Sequence, residues 1–298
     1  MNGFINLLKP SGMSSSDAVT IARRITGQKK CGHSGTLDPL AAGVLPLCMG
    51  RATKLFDYIM EKDKEYLAEL TLGIETDTQD ADGEIIATGD ADAVSEDAVR
   101  AVLVQFRGVI QQQPPMYSAL VHQGKKLYKL ARSGEEIERA HREITITALE
   151  LVERTGPHSY LLRIGCTKGT YVRTLCTDIG RALGCHGYLS FLLRTASGIF
   201  TLAETVTIEE LEILRDRGQL NDVLLPMDYP LGHLPRVDCP TGRERWLLNG
   251  LAQGVKADPV ELARVYAGER FLGLGGVALR EGRAELRLQL YLHTEDTE

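Results

Sequence analysis

Three prolines at Pro226, Pro230 and Pro235, all within ten residues, constrain the possible fold more than any other feature of the sequence. Proline cannot donate a backbone hydrogen bond, so this segment can form neither a continuous helix nor an interior strand. Helix-like and strand-like stretches alternate before it, whereas short strand-like stretches follow one short helical stretch after it. We therefore expect a linker here, with one domain over residues 1–230 and a small β-barrel-like domain over residues 231–298.

Apolar periodicity predicts both strands and helices in the larger part. Within residues 65–73 every second position is apolar from Tyr66 onward, which is the period of a strand with one buried face. The same reasoning predicts further strands over residues 143–152 and 160–166, and helices over residues 16–26, 99–106, 172–183 and from the capping box at Thr207. We expect Ser16 to cap the first of these helices.

The net charge of −6 argues weakly against a nucleic-acid partner, but the charges are unevenly distributed. Residues 74–99 contain nine acidic residues and no basic one. Basic residues cluster elsewhere, at Arg23, Arg24, Lys29 and Lys30, at Lys125, Lys126, Lys129 and Arg132, and at Arg243 and Arg245. Such patches suit a polyanion, and they are equally compatible with ordinary solvated faces.

Residues 110–142 are polar and basic, with Pro114 and Pro115 near their start. A structureless loop of this length is uncommon inside a compact domain. We therefore expect a protruding insertion at this place.

Asp38 stands alone in a small and apolar stretch, CGHSGTLDPLAAGVLP. An aspartate before a proline often binds nearby backbone amides in a turn. The same carboxylate could be a nucleophile, provided that a cationic partner keeps it ionised. A glycosidase would need a second carboxylate roughly 5–10 Å away, and no such pair is evident. Local rules leave the first two interpretations open.

Motifs for bound cofactors and metals are missing from the sequence. There is no P-loop, no GxGxxG and no GxSxG, and the calcium-like DTQDADGE segment lacks the acids that would begin and end a calcium-binding loop. The six cysteines are scattered without a CxxC pair, so we expect reduced thiols in a cytoplasmic protein and no zinc site. No apolar run is long enough to span a membrane.

Seven motifs follow one another as KPSGMSS, GHSGTLDPLAAGVLPLCMGRATK, KEY, TDTQDADG, QQPPMYSAL, GTYVRTL and FLLRTASGIF. In this order they resemble the motifs of the TruB-type tRNA pseudouridine synthases along nearly the whole chain. The resemblance implies an α+β pseudouridine-synthase fold, with a central mixed, mostly antiparallel sheet flanked by helices and a C-terminal PUA domain. It also implies an isomerase that flips uridine 55 out of the T arm of tRNA and converts it to pseudouridine. The reaction is redox-neutral, so no cofactor is expected.

The resemblance assigns three catalytic residues. Asp38 matches the nucleophile, although the sequence leaves open whether it attacks the ribose or the base ring. Arg173 is expected to pair with Asp38 and keep it ionised. Tyr66 matches a tyrosine that stacks on the flipped base and helps to move its C5 proton. Gly35 and Gly43 are expected to let the backbone approach Asp38 closely.

Four further residues match substrate-binding positions. Tyr171 and Leu192 match residues that line the uridine pocket, and His33 matches a histidine that packs into the unstacked loop. Lys9, with its neighbour Pro10, is expected to support the pocket rather than react.

The implied partner is the T-arm stem-loop of tRNA, bound by a protein that we expect to be monomeric. Residues 110–142 match the RNA-clasping segment of the family, with one departure: Val121 occupies a place where a lysine is usual, which puts one phosphate contact in doubt. Two other functions stay open, a tRNA-binding folding factor with incidental catalysis and a hydrolase that uses Asp38 on a glycosidic bond.

Overall fold

A computed structural model describes residues 1–60 and 63–292 of the chain. The helices are α1 (Ser15–Thr26), α2 (Phe56–Met60), α3 (Glu96–Leu103), α4 (Leu127–Arg132), α5 (Val172–Ala182), α6 (Ile208–Asp216) and α7 (Glu244–Leu248). The strands up to residue 201 are β1 (Gly3–Lys9), β2 (Cys31–His33), β3 (Ala42–Met49), β4 (Lys64–Leu72), β5 (Ile74–Thr76), β6 (Ile85–Thr88), β7 (Gly108–Gln112), β8 (Val121–His122), β9 (Lys125–Lys126), β10 (Arg142–Arg154), β11 (Ser159–Cys166), β12 (Gly187–Ser197) and β13 (Phe200–Thr201). The remaining strands are β14 (Arg236–Asp238), β15 (Gln253–Gly254), β16 (Val260–Ala267), β17 (Arg270–Arg280) and β18 (Arg283–Tyr291).

A nine-stranded sheet forms the centre of the larger part, in the order β1-β3-β12-β4-β11-β10-β7, with β2 and β13 attached at its side. Among the described residues, β3 and β12 form its one parallel pair, and the other pairs are antiparallel. The predicted mixed, mostly antiparallel sheet of an α+β fold is therefore confirmed.

Strand β4 lies in the middle of this sheet and follows the predicted alternation. Its buried side chains, from Tyr66 to Leu72 at every second position, belong to the main hydrophobic core. Helix α5 packs the apolar residues Leu175, Cys176 and Ile179 into the same core. Burial of this shared apolar surface is the main stabilising term for both elements.

Helix α1 begins earlier than the sequence predicts. Ser14, not Ser16, is the N-cap: its side chain accepts a hydrogen bond from the backbone of Asp17, and the Asp17 carboxylate bonds back to the backbone of Ser14. Three consecutive serines make the cap ambiguous in sequence, and the reciprocal bond with Asp17 three residues later selects the first. Gly27 ends the helix in a left-handed conformation, at φ 66°.

The predicted insertion is shorter than residues 110–142, because β7 extends to Gln112 and β10 begins at Arg142. The chain leaves the sheet over residues 113–141, and we keep the name insertion for these. They form the small β8–β9 hairpin and helix α4, whose Leu127 and Leu130 are buried. The insertion is thus a folded element rather than an extended loop.

The proline-rich segment is packed between the two parts of the chain instead of forming a free linker. Leu231 is fully buried in a cluster that joins Phe4 and Phe200 of the larger part to Leu274 of the smaller part. The Phe200 and Tyr229 rings lie 5.5 Å apart. Proline prevents helix or sheet hydrogen bonding here, but it does not prevent burial of the apolar residues between the prolines. The domain division at residue 230 stays a prediction.

The smaller part is a five-stranded sheet in the order β14-β16-β17-β18-β15, with helix α7 packed on it. Its own core includes Val237, Leu247, Val265 and Leu286. In residues 1–60 and 63–292, no helix has the length and apolar character that crossing a membrane requires.

Candidate active site

Asp38 lies in the segment that joins β2 to β3, shortly before β3 begins at Ala42. Ser15, at the start of α1, holds the preceding residue: its hydroxyl donates to the Leu37 carbonyl at 2.9 Å and accepts from the Leu37 amide at 2.8 Å. The Asp38 side chain itself is 39% exposed. The backbone before Asp38 is therefore held in place, and because the carboxylate is half exposed, a bound molecule can reach it.

Arg173, the second residue of helix α5, has a side chain that is only 5% exposed. Its Nε lies 2.9 Å from Asp38 Oδ2, but the N–H does not point at this oxygen, so the contact is an ion pair rather than a hydrogen bond. The two terminal nitrogens donate to backbone carbonyls, Nη1 to Thr78 and Nη2 to Tyr117, both at 2.9 Å. Both terminal nitrogens of Arg173 are therefore bound to backbone carbonyls, while its Nε lies beside Asp38.

Asp80 is a second carboxylate at the same guanidinium, with its Oδ2 3.5 Å from Arg173 Nη1. It is buried, and its Oδ1 accepts from the Thr78 hydroxyl at 2.5 Å and the Asp82 amide at 3.2 Å. Burial raises the pKa of Asp80, opposed by the Thr78 hydrogen bond and by the charge of Arg173. Arg173 is therefore held between two carboxylates and two carbonyls.

Tyr66 is buried on β4, where it lies opposite Arg194 on β12 and Ile164 on β11. Burial raises the pKa of the Tyr66 phenol to about 12, partly offset by the guanidinium of Arg194. Leu192 is also buried, two residues from Arg194 on the same strand and in the same core as Tyr66. The charge of Asp38 acts on the Tyr66 phenol as well, so the two side chains are electrostatic neighbours.

Lys9, at the end of β1, is fully buried. Its Nζ donates to the carbonyls of Pro10 at 2.7 Å and Met13 at 2.6 Å. Burial lowers the pKa of Lys9 to about 8, although the charge of Asp38 opposes the shift. The Lys9 ammonium therefore binds the turn at Pro10 and Met13 and is an electrostatic neighbour of Asp38.

Tyr171 precedes helix α5 and is tied to the base of the insertion. The Gln112 side chain accepts from the Tyr171 amide at 2.8 Å and donates to its carbonyl at 3.0 Å. The guanidinium of Arg142 lies 4.5 Å from the Tyr171 ring centre. His33, on β2, has a buried Nδ1 with no hydrogen-bond partner among the described residues, and burial lowers the pKa of its imidazole.

The two glycines near Asp38 have φ values of 112° at Gly35 and 114° at Gly43, in the region that favours glycine. Gly43 makes a close contact with the backbone of Arg194, and the expectation that it lets the backbone approach Asp38 stays a prediction. A Cβ at Gly43 would overlap the Arg194 carbonyl, across the parallel pairing of β3 with β12.

Comparison with known proteins agrees with the family that the seven sequence motifs resemble. A family model described as "TruB family pseudouridylate synthase (N terminal domain)" matches residues 23–172, and one described as "tRNA pseudouridylate synthase B C-terminal domain" matches residues 173–232. A tRNA pseudouridine synthase B of Alkaliphilus oremlandii is 50% identical over 250 residues, which cover 84% of this chain and 82% of the relative. The protein of that name in Aromatoleum aromaticum is 46% identical, over 92% of this chain and 88% of the relative.

This chain belongs to the TruB family of pseudouridylate synthases. It is therefore a pseudouridine synthase, an enzyme of the isomerase class. A solved structure described as a Cbf5-Nop10-Gar1 complex contains a chain of the same fold, with a TM-score of 0.73 at 26% identity, covering 99% of this chain and 86% of that one. The predicted family, enzyme class and fold are confirmed.

Two residues of this TruB-family site were missed by the sequence reasoning. For Asp80, which lies in the calcium-like segment, the available signal was its position in the TDTQDADG motif. For Arg194, the signal was a charged residue in the middle of the otherwise apolar start of FLLRTASGIF, which is unusual for a buried strand. Both are buried against residues that the motifs had already singled out.

Proposed function

We propose that this TruB-family enzyme converts uridine 55 in the T arm of tRNA to pseudouridine, with Asp38 as the nucleophile. The observation that supports this most directly is the half-exposed Asp38 carboxylate beside the buried guanidinium of Arg173. The names of the related proteins support tRNA as the substrate.

The isomerisation conserves all atoms of the nucleotide. The bond from N1 of the base to C1′ of the ribose breaks, a bond from C5 to C1′ forms, and the base loses a proton at C5 and gains one at N1. Asp38 forms a transient covalent bond and is released at the end, so the enzyme is regenerated. Arg173 and Lys9 place positive charge beside the Asp38 carboxylate.

Tyr66 is proposed to stack on the flipped base and to assist removal of the C5 proton. Its raised pKa means that the phenol is neutral near pH 7, so its hydroxyl can donate a hydrogen bond to the bound base before any proton moves. Leu192 and Tyr171 are proposed to line the pocket, with the Tyr171 ring held in place by Arg142. His33 is proposed to pack into the space that the flipped base leaves, which suits its neutral imidazole.

The insertion is proposed to clasp the T arm. Lys126 and Arg132 lie 5.9 Å and 5.7 Å from the centre of the Tyr128 ring, so phosphate-binding and stacking groups are combined on one surface. The smaller part is proposed to be a PUA-like RNA-binding domain. Trp246 is half exposed there, with the guanidinium of Arg243 5.5 Å from its ring.

The experiment is incubation of the purified protein with unmodified tRNA, followed by mapping of pseudouridine through carbodiimide adducts and primer extension. We expect modification at position 55 alone, and modification of a correctly folded T-arm stem-loop as well, because such RNA readers address shape and splayed bases.

Asp38→Asn should form no pseudouridine, while tRNA affinity should stay within about 3-fold because phosphate contacts dominate binding. Pseudouridine above background with this variant would refute the nucleophile. Binding without modification by the wild-type protein would favour the folding-factor function, and release of free uracil would favour the hydrolase.

A further inference from the structure

Arg194 is among the largest fully buried side chains of the protein, at 1% exposed. Its Nε donates to the Val44 carbonyl at 2.7 Å, and its Nη2 donates to the Gly35 carbonyl at 3.1 Å. Gly35 precedes Asp38 and Val44 follows it, so one guanidinium joins the two ends of the loop that contains Asp38. The backbone of Arg194 also pairs with Gly43 on β3.

Another neighbour of Arg194 is the tyrosine of the proposed site. Tyr66 lies directly opposite Arg194 in the antiparallel pairing of β4 with β12, and the guanidinium acts on its hydroxyl. The central sheet thus brings the base of the Asp38 loop and the Tyr66 side chain to the same cationic residue.

The charge of Arg194 is not neutralised by an acid. In the part of the chain that the structure describes, none of the ion pairs includes Arg194. A buried guanidinium without a carboxylate is costly, because burial removes it from water. Methionine or leucine would fill the same core position without that cost, so packing alone does not account for an arginine here.

We propose that Arg194 is a positioning residue for the isomerisation: it fixes both ends of the Asp38 loop and holds the Tyr66 hydroxyl in place relative to that loop. The inference rests on the proposed function of Asp38 and Tyr66. Arg194 acts through these two side chains and needs no contact with the nucleotide itself.

Two variants test this role. Arg194→Gln removes the charge and cannot reach both carbonyls, whereas Arg194→Lys keeps the charge but has a single nitrogen to donate. We expect the single-turnover rate of pseudouridine formation at saturating enzyme to fall about 100-fold in Arg194→Gln, the usual effect of misplacing reacting groups by about 1 Å. Arg194→Lys should fall about 10-fold. The Kd for tRNA should stay within about 3-fold in both.

A matched control separates positioning from general stability. Leu211→Ala removes apolar bulk from α6, at a fully buried site of a helix that packs on α1 and β1. The folded fraction of Leu211→Ala is measured by circular dichroism, and the rate per folded molecule should equal that of wild type. This should hold even when the melting temperature of Leu211→Ala falls as far as that of Arg194→Gln.

The proposal is wrong if a folded Arg194 variant keeps a rate within about 3-fold of wild type, or if Leu211→Ala loses rate to the same extent. Failure of both Arg194 variants to fold would also overturn it, because the residue would then be purely structural. Absence of product with wild-type protein would instead refute the proposed function, since that result does not depend on Arg194.

Discussion

Arg173 offers the sharpest test of how the site is assembled, because its guanidinium contacts three separate segments of the chain, at Asp38, at Thr78 and Asp80, and at Tyr117. Arg173→Lys retains a positive charge beside Asp38. A single ammonium cannot also reach the carbonyls of Thr78 and Tyr117, which Arg173 binds at 2.9 Å each. The variant therefore separates the role of the charge from the role of the planar group.

The size of the effect follows from the lost hydrogen bonds. A hydrogen bond to a charged group contributes roughly 1.5–3 kcal/mol. If the loss of one such bond appears in the barrier, the rate falls by ~10- to 150-fold. We therefore expect Arg173→Lys to slow single-turnover pseudouridine formation by about this factor, with tRNA affinity little changed.

Arg181→Lys is the matched control, since it makes the same substitution on the same helix. Arg181 is half exposed and pairs with Glu75 at 2.5 Å, and in residues 1–60 and 63–292 the ion pair of Asp38 is with Arg173 instead. This variant should keep a rate within about 2-fold of wild type. Equal rates for Arg173→Lys and Arg181→Lys at saturating enzyme would show that the bonds to Thr78 and Tyr117 do not position Arg173.

Three other predictions concern stability and RNA binding. Burial and the charge of Arg194 lower the pKa of His33 below 6.5, so the unfolded chain takes up a proton at a higher pH than the folded chain. As the pH falls from about 7 to 5, the free energy of unfolding should therefore fall less steeply in His33→Gln than in wild type. Urea titrations measure this, and parallel curves for the two proteins would contradict it. Leu231→Ala should lower the free energy of unfolding by ~2–5 kcal/mol, and both parts of the chain should still unfold in one calorimetric transition. Two separate transitions would mean that the hydrophobic cluster around Leu231 does not couple the two parts. Val121→Lys places a cation on an exposed strand beside Lys125 and Lys126 and should tighten tRNA binding. The slope of log Kd plotted against log salt concentration should become steeper by ~0.7–0.9, and an unchanged slope would show that position 121 does not contact a phosphate.

Local patterns in the sequence were sufficient for the elements that frame the site. The alternation from Tyr66 to Leu72 predicted β4 because a strand with one buried face repeats every two residues. The amphipathic spacing after Tyr171 predicted α5 for the equivalent reason, with a period of 3.6 residues. The motif around Asp38 suggested the nucleophile through resemblance, a role that stays a proposal.

Contacts between distant segments depended on the order of strands in the sheet, which no local pattern specifies. Asp38 meets Arg173, and Gly35 meets Arg194, only because β12 pairs with β3 on one side and β4 on the other. Asp80 reaches Arg173 through the turn after β5. Local propensity depends on residues a few positions apart, whereas these ion pairs and hydrogen bonds join residues more than ninety positions apart. These contacts therefore form only when the whole domain packs.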